Sequence, residues 1–424
     1  MTMLLKDVMF LDGSMDSARS GDILIEDGKI SSVGKAGSLI GDDIVDGKGR
    51  MAVLPGFVNC HTHAAMSLLR GLGEERPLKE WLEEQIWPVE ANLNPERIYW
   101  GTRSALMEMA SSGTTCFGDM YFEMDKVAEA AKACGMRTGI CRGIVGDDES
   151  KIEESLALAD RYKDDPMVTV QMGPHAPYTV PFDAMKKIAS SAKDKGMSVH
   201  LHYLETEWEL GYLKDDFGTG AMEYLEKTGL CDVSGLILAH CVWFPEDELS
   251  DLSRVPATVV HNPGSNLKLG SGVAPVRSML SSGVSVALGT DGAASNNRLD
   301  MWGELRTAAL LHKGVLRDPS IVTAREILDG ATYRGYRALG FEKAGLIREG
   351  WKADLVLVDL DGPNYIGVNE ENLGVFLVYA GSSSDVAGTM VDGSWIYIDG
   401  EFPGQDEEEV LSHARKARAE LIRR

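Results

Sequence analysis

Residues 54 to 63 read Leu54-Pro55-Gly56-Phe57-Val58-Asn59-Cys60-His61-Thr62-His63. This apolar run ends in two histidines separated by one residue, which is the pattern expected of a first barrel strand that ends in two metal ligands. Side chains alternate faces along a strand, so His61 and His63 point the same way, about 7 Å apart, and are close enough to share one ion. Two unrelated polar residues at a strand end are the alternative, and the remaining ligands must come from elsewhere in the chain.

The composition of the 424-residue chain is that of a soluble globular protein, with 44% hydrophobic and 25% charged residues. The 65 acidic and 42 basic side chains give a net charge of -23, which argues against a nucleic-acid partner because it repels phosphate backbones. The six cysteines form no Cys-x-x-Cys pair, so neither a thiolate zinc site nor a disulfide framework is indicated. No apolar run approaches the ~20 residues of a membrane span, and we expect a cytoplasmic protein without a membrane partner.

Both ends of the chain have the pattern of a small β unit. Short β-type runs at 4–11, 22–26 and 29–33 alternate with Asp-Gly turns at 12–13 and 27–28, which is typical of hairpins. Similar runs recur at 353–360, 375–379 and 395–400. We therefore predict a small β-sandwich-like domain formed from residues 1–52 and 341–424. It ends in a helix over 407–424, whose acidic start and basic end suit the helix dipole.

Between residues 53 and 340, short apolar runs alternate with amphipathic stretches of ten or more residues. The predicted strands are 53–63, 114–120, 137–145, 168–175, 198–205, 236–242, 258–262 and 285–291. Eight βα units are the number that closes a (β/α)₈ TIM barrel, so we predict an α/β fold with a catalytic barrel at 53–340. An open doubly wound sheet is the alternative, but no Gly-x-Gly-x-x-Gly follows an early strand.

Histidines cluster on the predicted strands. Seven of the nine lie within or at the end of one, namely His61, His63, His175, His200, His202, His240 and His261. The carboxyl ends of barrel strands share one rim, so these side chains converge in space. On strand five we expect His202, nearer the strand end, to face the rim, while His200 is either a residue of the site or a packed polar residue. Strand eight ends in Asp291.

These residues predict a site for one divalent metal ion. The ligands are His61, His63, His202 and Asp291, which supply three imidazole nitrogens and one carboxylate and leave room for water. Zn²⁺ prefers such ligands, and Fe²⁺ is the alternative because geometry and availability decide which metal is bound. The fourth strand contains no lysine, so no residue there would bridge a second metal.

Six motifs in order resemble those of the amidohydrolase superfamily. They are Pro-Gly-Phe-Val-Asn-Cys-His-Thr-His-Ala at 55–64, Gly-Pro-His-Ala-Pro-Tyr at 173–178, His-Leu-His-x-x-Glu at 200–205, Ala-His-Cys at 239–241, His-Asn-Pro-Gly-Ser-Asn at 261–266 and Gly-Thr-Asp-Gly-Ala-Ala-Ser-Asn-Asn at 289–297. Within that superfamily, the whole chain closely resembles the 5-methylthioadenosine/S-adenosylhomocysteine deaminases and the related 5'-deoxyadenosine deaminases. The resemblance implies a hydrolase that converts a 5'-modified adenosine to the inosine analogue and ammonia.

The resemblance also implies roles for individual residues. Glu205 would be the proton shuttle, His240 would hydrogen-bond the attacking hydroxide or the tetrahedral oxygen, and Asp291 would be both ligand and base. One carboxylic acid and one base beside a metal suffice for this reaction. The positions that contact the nucleoside in these enzymes match Glu90, which would bind the ribose hydroxyls, Arg142 and His175.

The segment at 145–154 bears on substrate preference. Some of these deaminases carry an arginine there that can pair with the carboxylate of S-adenosylhomocysteine, but this chain reads Val-Gly-Asp-Asp-Glu-Ser-Lys-Ile-Glu-Glu. Lys151 supplies only a point charge, so we expect small or apolar 5' substituents. Alternative functions are hydrolysis of another aminated or chlorinated N-heterocycle (guanine, cytosine or triazine type), and a metal-free binding protein that would have lost ligands. We also expect a homo-oligomer.

Overall fold

The computed structural model describes residues 2–11 and 18–422. The strands are β1 (Thr2–Leu11), β2 (Ala18–Glu26), β3 (Lys29–Gly34), β4 (Asp43–Asp46), β5 (Met51–Pro55), β6 (Phe57–Thr62), β7 (Thr114–Tyr121), β8 (Arg137–Ile144), β9 (Val168–Pro174), β10 (Val199–Tyr203), β11 (Leu236–His240), β12 (Ala257–His261), β13 (Ser285–Leu288), β14 (Leu355–Asp359), β15 (Val386–Val391) and β16 (Ser394–Ile398). The α-helices are α1 (Leu78–Glu80), α2 (Trp87–Glu90), α3 (Pro95–Ser111), α4 (Met124–Cys134), α5 (Glu149–Tyr162), α6 (Phe182–Lys195), α7 (Glu207–Phe217), α8 (Ala221–Thr228), α9 (Leu249–Leu252), α10 (Pro263–Lys268), α11 (Val276–Ser281), α12 (Met301–Leu316), α13 (Ala324–Gly330), α14 (Tyr333–Ala338), α15 (Leu373–Ala380) and α16 (Glu407–Leu421).

Eight parallel strands, β6 to β13, form a barrel in sequence order. Asn59 and Thr290 close it through two hydrogen bonds of 2.8 and 2.9 Å, and the Asp291 N–H donates to the His61 carbonyl oxygen at 3.0 Å. At the amino-terminal end of the strands, Tyr336 of α14 packs against interior residues such as Val58. The carboxyl ends of the strands therefore form the open rim, and the predicted (β/α)₈ architecture is confirmed.

The two ends of the chain build a second, mixed sheet in the order β16-β15-β14-β5-β1-β2-β3, with β4 also paired to β1. They meet where β5 runs antiparallel to β14. The sheet curls, which brings β3 close to the segment that precedes β14. The Ile30 N–H of β3 donates to the carbonyl oxygen of Trp351 in that segment at 2.9 Å. The unit predicted to be sandwich-like is thus one curled sheet, and this sheet encloses its own cluster of apolar residues.

The turn between β2 and β3 has the hairpin geometry that its sequence predicts. Asp27 and Gly28 both have positive φ, 49° and 74°, as a two-residue type I′ turn requires. The predicted Asp-Gly turn at 12–13 lies outside the described residues.

The strand predicted over 53–63 is two strands. β5 (Met51–Pro55) belongs to the terminal sheet and β6 (Phe57–Thr62) to the barrel, and the change falls at Gly56. Gly56 N–H donates to the Asp354 carbonyl oxygen of the terminal sheet, whereas Phe57 N–H donates to the Gly113 carbonyl oxygen beside the barrel. One continuous apolar run concealed this change because both strands are buried on both faces.

The prediction of a strand at 375–379 was wrong, because these residues belong to helix α15 (Leu373–Ala380). A short apolar run without alternation fits a buried helix as well as a strand. The sequence also did not indicate β15, which holds the central place between β14 and β16. No helix within residues 2–11 and 18–422 is long and apolar enough to cross a membrane.

Candidate active site

Four polar side chains meet at the barrel rim. His61 lies at the end of β6 and His63 just beyond it, His202 lies near the end of β10, and Asp291 follows β13. One potential ligand atom from each lies within 4.8 Å of those from the other three. The structure thus brings together the four residues that the sequence predicts as metal ligands.

The spacing of these atoms suits a small divalent cation. Asp291 Oδ1 lies 3.4 Å from His61 Nε2 and 3.2 Å from His63 Nε2, and the Nε2 atoms of His63 and His202 are 3.2 Å apart. Tetrahedral ligands at Zn–N distances of ~2.0–2.1 Å are ~3.3 Å apart. His61 Nε2 is buried and has no hydrogen-bond partner in the described part of the chain. The donor set therefore fits a tetrahedral or more open metal site.

The electrostatics of the cluster favour one positive charge beside Asp291. Burial lowers the pKa of His61 to about 4. Burial opposes the charged form of His63 as well, but hydrogen bonding and attraction to Asp291 outweigh it and raise the pKa to about 9. Burial also opposes ionisation of Asp291, yet its contacts with His61 and His63 hold the pKa of its carboxyl well below the usual range.

Each histidine of the cluster is held through its other ring nitrogen. His63 Nδ1 lies 2.6 Å from the Met120 carbonyl oxygen, and His202 Nδ1 lies 2.8 Å from the His175 carbonyl oxygen. His61 Nδ1 instead contacts Nε2 of His200 at 2.9 Å. The sequence left the position of His200 open, and the structure places it directly behind His61.

The Asp291 carboxylate is oriented by two serines. Ser265 Oγ and Ser295 Oγ each donate to Oδ2 at 2.7 Å, so Oδ1 faces the histidines. Both serines lie in sequence motifs that resemble those of the family, at 261–266 and 289–297, but the motifs alone did not indicate their contacts with Asp291. The Ser265 contact arises from the close approach of α10 to the end of β13, whereas Ser295 lies only four residues after Asp291.

Glu205 and His240 lie beside the cluster. Glu205 Oε2 is 3.8 Å from His240 Nε2, and Ser271 Oγ donates to Glu205 Oε1 at 3.2 Å. Asn266 Oδ1 is 2.8 Å from His240 Nδ1 and holds the imidazole from the other side. Burial raises the pKa of Glu205, which favours a carboxyl that can donate a proton.

Strained backbone accompanies these side chains. Leu204, His240 and Asp291 all have positive φ, at 50°, 76° and 63°. Such conformations cost about 1–3 kcal/mol each for residues other than glycine and persist where the surrounding structure holds them. All three lie at the site, since Leu204 directly precedes Glu205 and the other two are site residues themselves.

A cavity of about 390 Å³ opens above the cluster. His63, His202, Asp291, Glu205 and His240 line its floor, and Glu90 and His175 line its sides. The Tyr121 hydroxyl donates to Glu90 Oε1 at 2.5 Å, and burial raises the pKa of Glu90. His175 Nδ1 lies 2.9 Å from Thr179 Oγ1. Two of the three residues predicted to contact a nucleoside thus face the same space as the predicted ligands.

Arg142, the third, lies behind the wall of this cavity. Its Nε donates to both carboxylate oxygens of Glu154 at 3.0 and 3.1 Å, and its guanidinium also donates to the carbonyl oxygen of Gly143, which lines the cavity. A direct contact between Arg142 and a nucleoside stays a prediction. Lys151, which follows the same strand, faces Asp148 at 4.0 Å.

Comparison with known proteins agrees with this architecture. The model of the amidohydrolase family matches residues 52–396. The chain is 44% identical over 388 residues, 90% of either chain, to the 5-methylthioadenosine/S-adenosylhomocysteine deaminase of Dictyoglomus thermophilum. It is 40% identical over 424 residues to the 5'-deoxyadenosine deaminase of Methanosarcina acetivorans, covering 98% of this chain and 97% of that protein.

A solved structure extends the likeness to three dimensions. The crystal structure of an adenosine deaminase from Xanthomonas campestris with bound zinc superimposes with a TM-score of 0.92 at 33% identity, covering 99% of this chain and 98% of that one. The sequence relatives, the barrel and the histidine-aspartate cluster agree, and the chain belongs to the amidohydrolase family.

Proposed function

We propose that this protein hydrolyses the exocyclic C6–N bond of a 5'-modified adenosine, consuming water and releasing ammonia and the inosine analogue. The observation that carries the proposal is that His63, His202 and Asp291 of the cluster line the same cavity as Glu205 and Glu90. Relatives at 40 and 44% identity are named as deaminases of such nucleosides.

Zn²⁺ is the proposed metal, held by His61, His63, His202 and Asp291. Three imidazoles and a carboxylate match its preferences, and the adenosine deaminase of Xanthomonas campestris contains zinc. A divalent ion at such a site supplies a water molecule whose pKa is lowered towards neutrality.

The side chains around the cluster supply the proton transfers. Glu205, buried and with a raised pKa, donates a proton to a ring nitrogen of adenine and regains one from the attacking water. His240, fixed by Asn266, presents Nε2 towards the oxygen that attacks C6. The ionised Asp291, oriented by Ser265 and Ser295, accepts the second proton of this water and returns it to the departing amine, which leaves as ammonia.

The cavity walls support a nucleoside with an uncharged 5' group. Glu90, held by Tyr121, offers its second carboxylate oxygen to ribose hydroxyls. Apolar side chains that include Leu78, Trp81 and Trp87 line the same cavity. Among the described residues that line it there is no lysine or arginine, so no cation is placed to bind the carboxylate of S-adenosylhomocysteine.

A substrate series tests the proposal. Ammonia release by zinc-replete protein should give the highest kcat/KM for 5'-deoxyadenosine or 5'-methylthioadenosine, a lower value for adenosine and the lowest for S-adenosylhomocysteine. Turnover of guanine or a chlorotriazine without turnover of any adenosine derivative would contradict the proposed activity. If S-adenosylhomocysteine ranked first, the argument from the uncharged walls would be wrong while the deaminase activity stood.

A further inference from the structure

The three histidines of the metal site are each oriented by one contact at Nδ1, and only one of these contacts is with a side chain. His63 and His202 direct Nδ1 at backbone carbonyl oxygens, whereas His61 directs Nδ1 at Nε2 of His200. Backbone carbonyls are present whatever the residue type. Of these three contacts, the one to His200 is therefore the one that a substitution can remove.

A metal bound to His61 would determine where the protons lie on the two rings. His61 Nε2 faces Asp291 Oδ1 at 3.4 Å, on the side of the proposed metal, so a metal bound to Nε2 would leave the proton of the His61 ring on Nδ1. That N–H would then donate across 2.9 Å to Nε2 of His200. Since Nε2 of His200 accepts, a neutral His200 carries its own proton on Nδ1.

This arrangement is not one that packing alone would favour. His200 is 0% exposed, and its Nδ1 has no hydrogen-bond partner among the described residues. A buried N–H without a partner destabilises the folded state. An apolar side chain of similar size would avoid that penalty, so stability does not account for a histidine at this position.

We propose that His200 is a positioning residue of the metal site, which fixes the tautomer and the ring orientation of His61. The proposal rests on the metal-dependent function proposed above. His200 does not line the substrate cavity and acts only through His61. Removing such an outer partner typically weakens metal binding by about 10–100-fold.

Two nearly isosteric variants test the role of the acceptor. His200→Gln can place its side-chain oxygen near the position of Nε2, whereas His200→Met fills similar space without a strong acceptor. Zn²⁺ affinity, measured by competition with a chromogenic chelator, should fall about 10–100-fold in His200→Met and stay within about threefold of wild type in His200→Gln. After chelation of the metal, His200→Met should unfold at a temperature no lower than wild type.

His312 provides a matched control. It is also buried, and its Nε2 contacts Nε2 of His261 at 3.2 Å, but it touches no residue of the cluster. His312→Met should therefore leave the Zn²⁺ affinity unchanged. Wild-type affinity in His200→Met, or equally weak binding in both His200 variants, would overturn the proposal.

A measurement on the unmutated protein covers the case in which His200→Met does not fold. ¹⁵N NMR of the histidine rings, assigned by the signals lost in His200→Gln, should show His200 protonated on Nδ1 and not on Nε2. The opposite tautomer would overturn the proposal. Wild-type protein that fails to bind Zn²⁺ would instead contradict the metal-dependent function itself.

Discussion

Glu205 is the residue whose side chain is best placed to move protons. It is buried beside His240, and Ser271 donates to its carboxylate. Glu205→Gln keeps the size and the hydrogen-bond acceptor but cannot release a proton. We expect unchanged zinc content by atomic emission and a kcat about 10²–10⁴-fold lower, the range usual for a general acid or base.

Glu207→Gln is the control for that substitution, since Glu207 is an exposed residue in the first turn of α7. It should retain wild-type kcat. Full activity of Glu205→Gln would exclude Glu205 as the proton shuttle, and a loss of zinc would place it in the metal site instead.

At the scale of the element, helix α7 begins with a buried carboxyl. Glu209 accepts from Thr206 N–H at 3.0 Å and from Thr206 Oγ1 at 3.1 Å, which forms a capping box. Burial, followed by the charge of Glu205, raises the pKa of Glu209 from 4.5 to about 7. Between these values the folded protein binds more protons than the unfolded chain, so this group makes the protein less stable as the pH rises through that window.

Glu209→Gln preserves the cap and removes the ionisation. Relative to wild type, its free energy of unfolding should increase as the pH rises from about 4.5 to about 7, by on the order of 3 kcal/mol, and then level off. Urea denaturation across this range measures the difference. Glu223→Gln occupies the same capping position on α8 but is exposed, and should show no such gain. A pH-independent difference for Glu209→Gln would contradict the assignment.

Gly56 connects two elements that belong to different sheets. A Cβ at this position would come within 2.2 Å of the Thr115 side chain on β7. Gly56→Ala should therefore lower the free energy of unfolding by about 1–3 kcal/mol, as overpacking does. Gly314→Ala, in α12 with no atom within 4 Å of the added methyl, should stabilise by up to about 1 kcal/mol because alanine favours helix. Unchanged or increased stability of Gly56→Ala would show that the close approach at Gly56 does not limit the fold.

At the scale of the molecule, a buried ion pair joins the barrel to the terminal sheet. Arg137, at the start of β8, donates to Asp354 at 2.6 and 3.1 Å, and both side chains are 0% exposed. Tyr336 OH donates to the same carboxylate at 3.0 Å, and Asp392 N–H does so at 2.9 Å. The chain ends are thereby fastened to the barrel through charge as well as through apolar packing.

Asp354→Asn would leave the Arg137 guanidinium buried, with Asp392 as its remaining counter-ion among the described residues. We expect a loss of about 3–5 kcal/mol, seen as a lower urea midpoint. Asp361→Asn removes an exposed pair with Arg50 and should change stability by no more than about 1 kcal/mol. Equal midpoints for the two variants would mean that the buried pair does not hold the two units together.

The sequence by itself determined the barrel and the identity of the rim residues. Alternating apolar runs and amphipathic stretches are local properties, and polar residues at strand ends must share one rim once eight strands close. His61, His63, His202 and Asp291 could therefore be grouped although 230 positions separate the first from the last. The order of motifs likewise indicated the amidohydrolase family, which the comparisons confirmed.

Only the tertiary structure decided which atoms meet. Three contacts depend on distances of a few ångströms between separate elements: His61 with His200, Ser265 with Asp291, and Arg142 with Glu154. The partition of one apolar run at Gly56 depends likewise on two sheets that the run enters in turn. Hydrophobic periodicity indicates whether a residue is buried. The partner of a buried polar atom, however, is determined by how the elements pack.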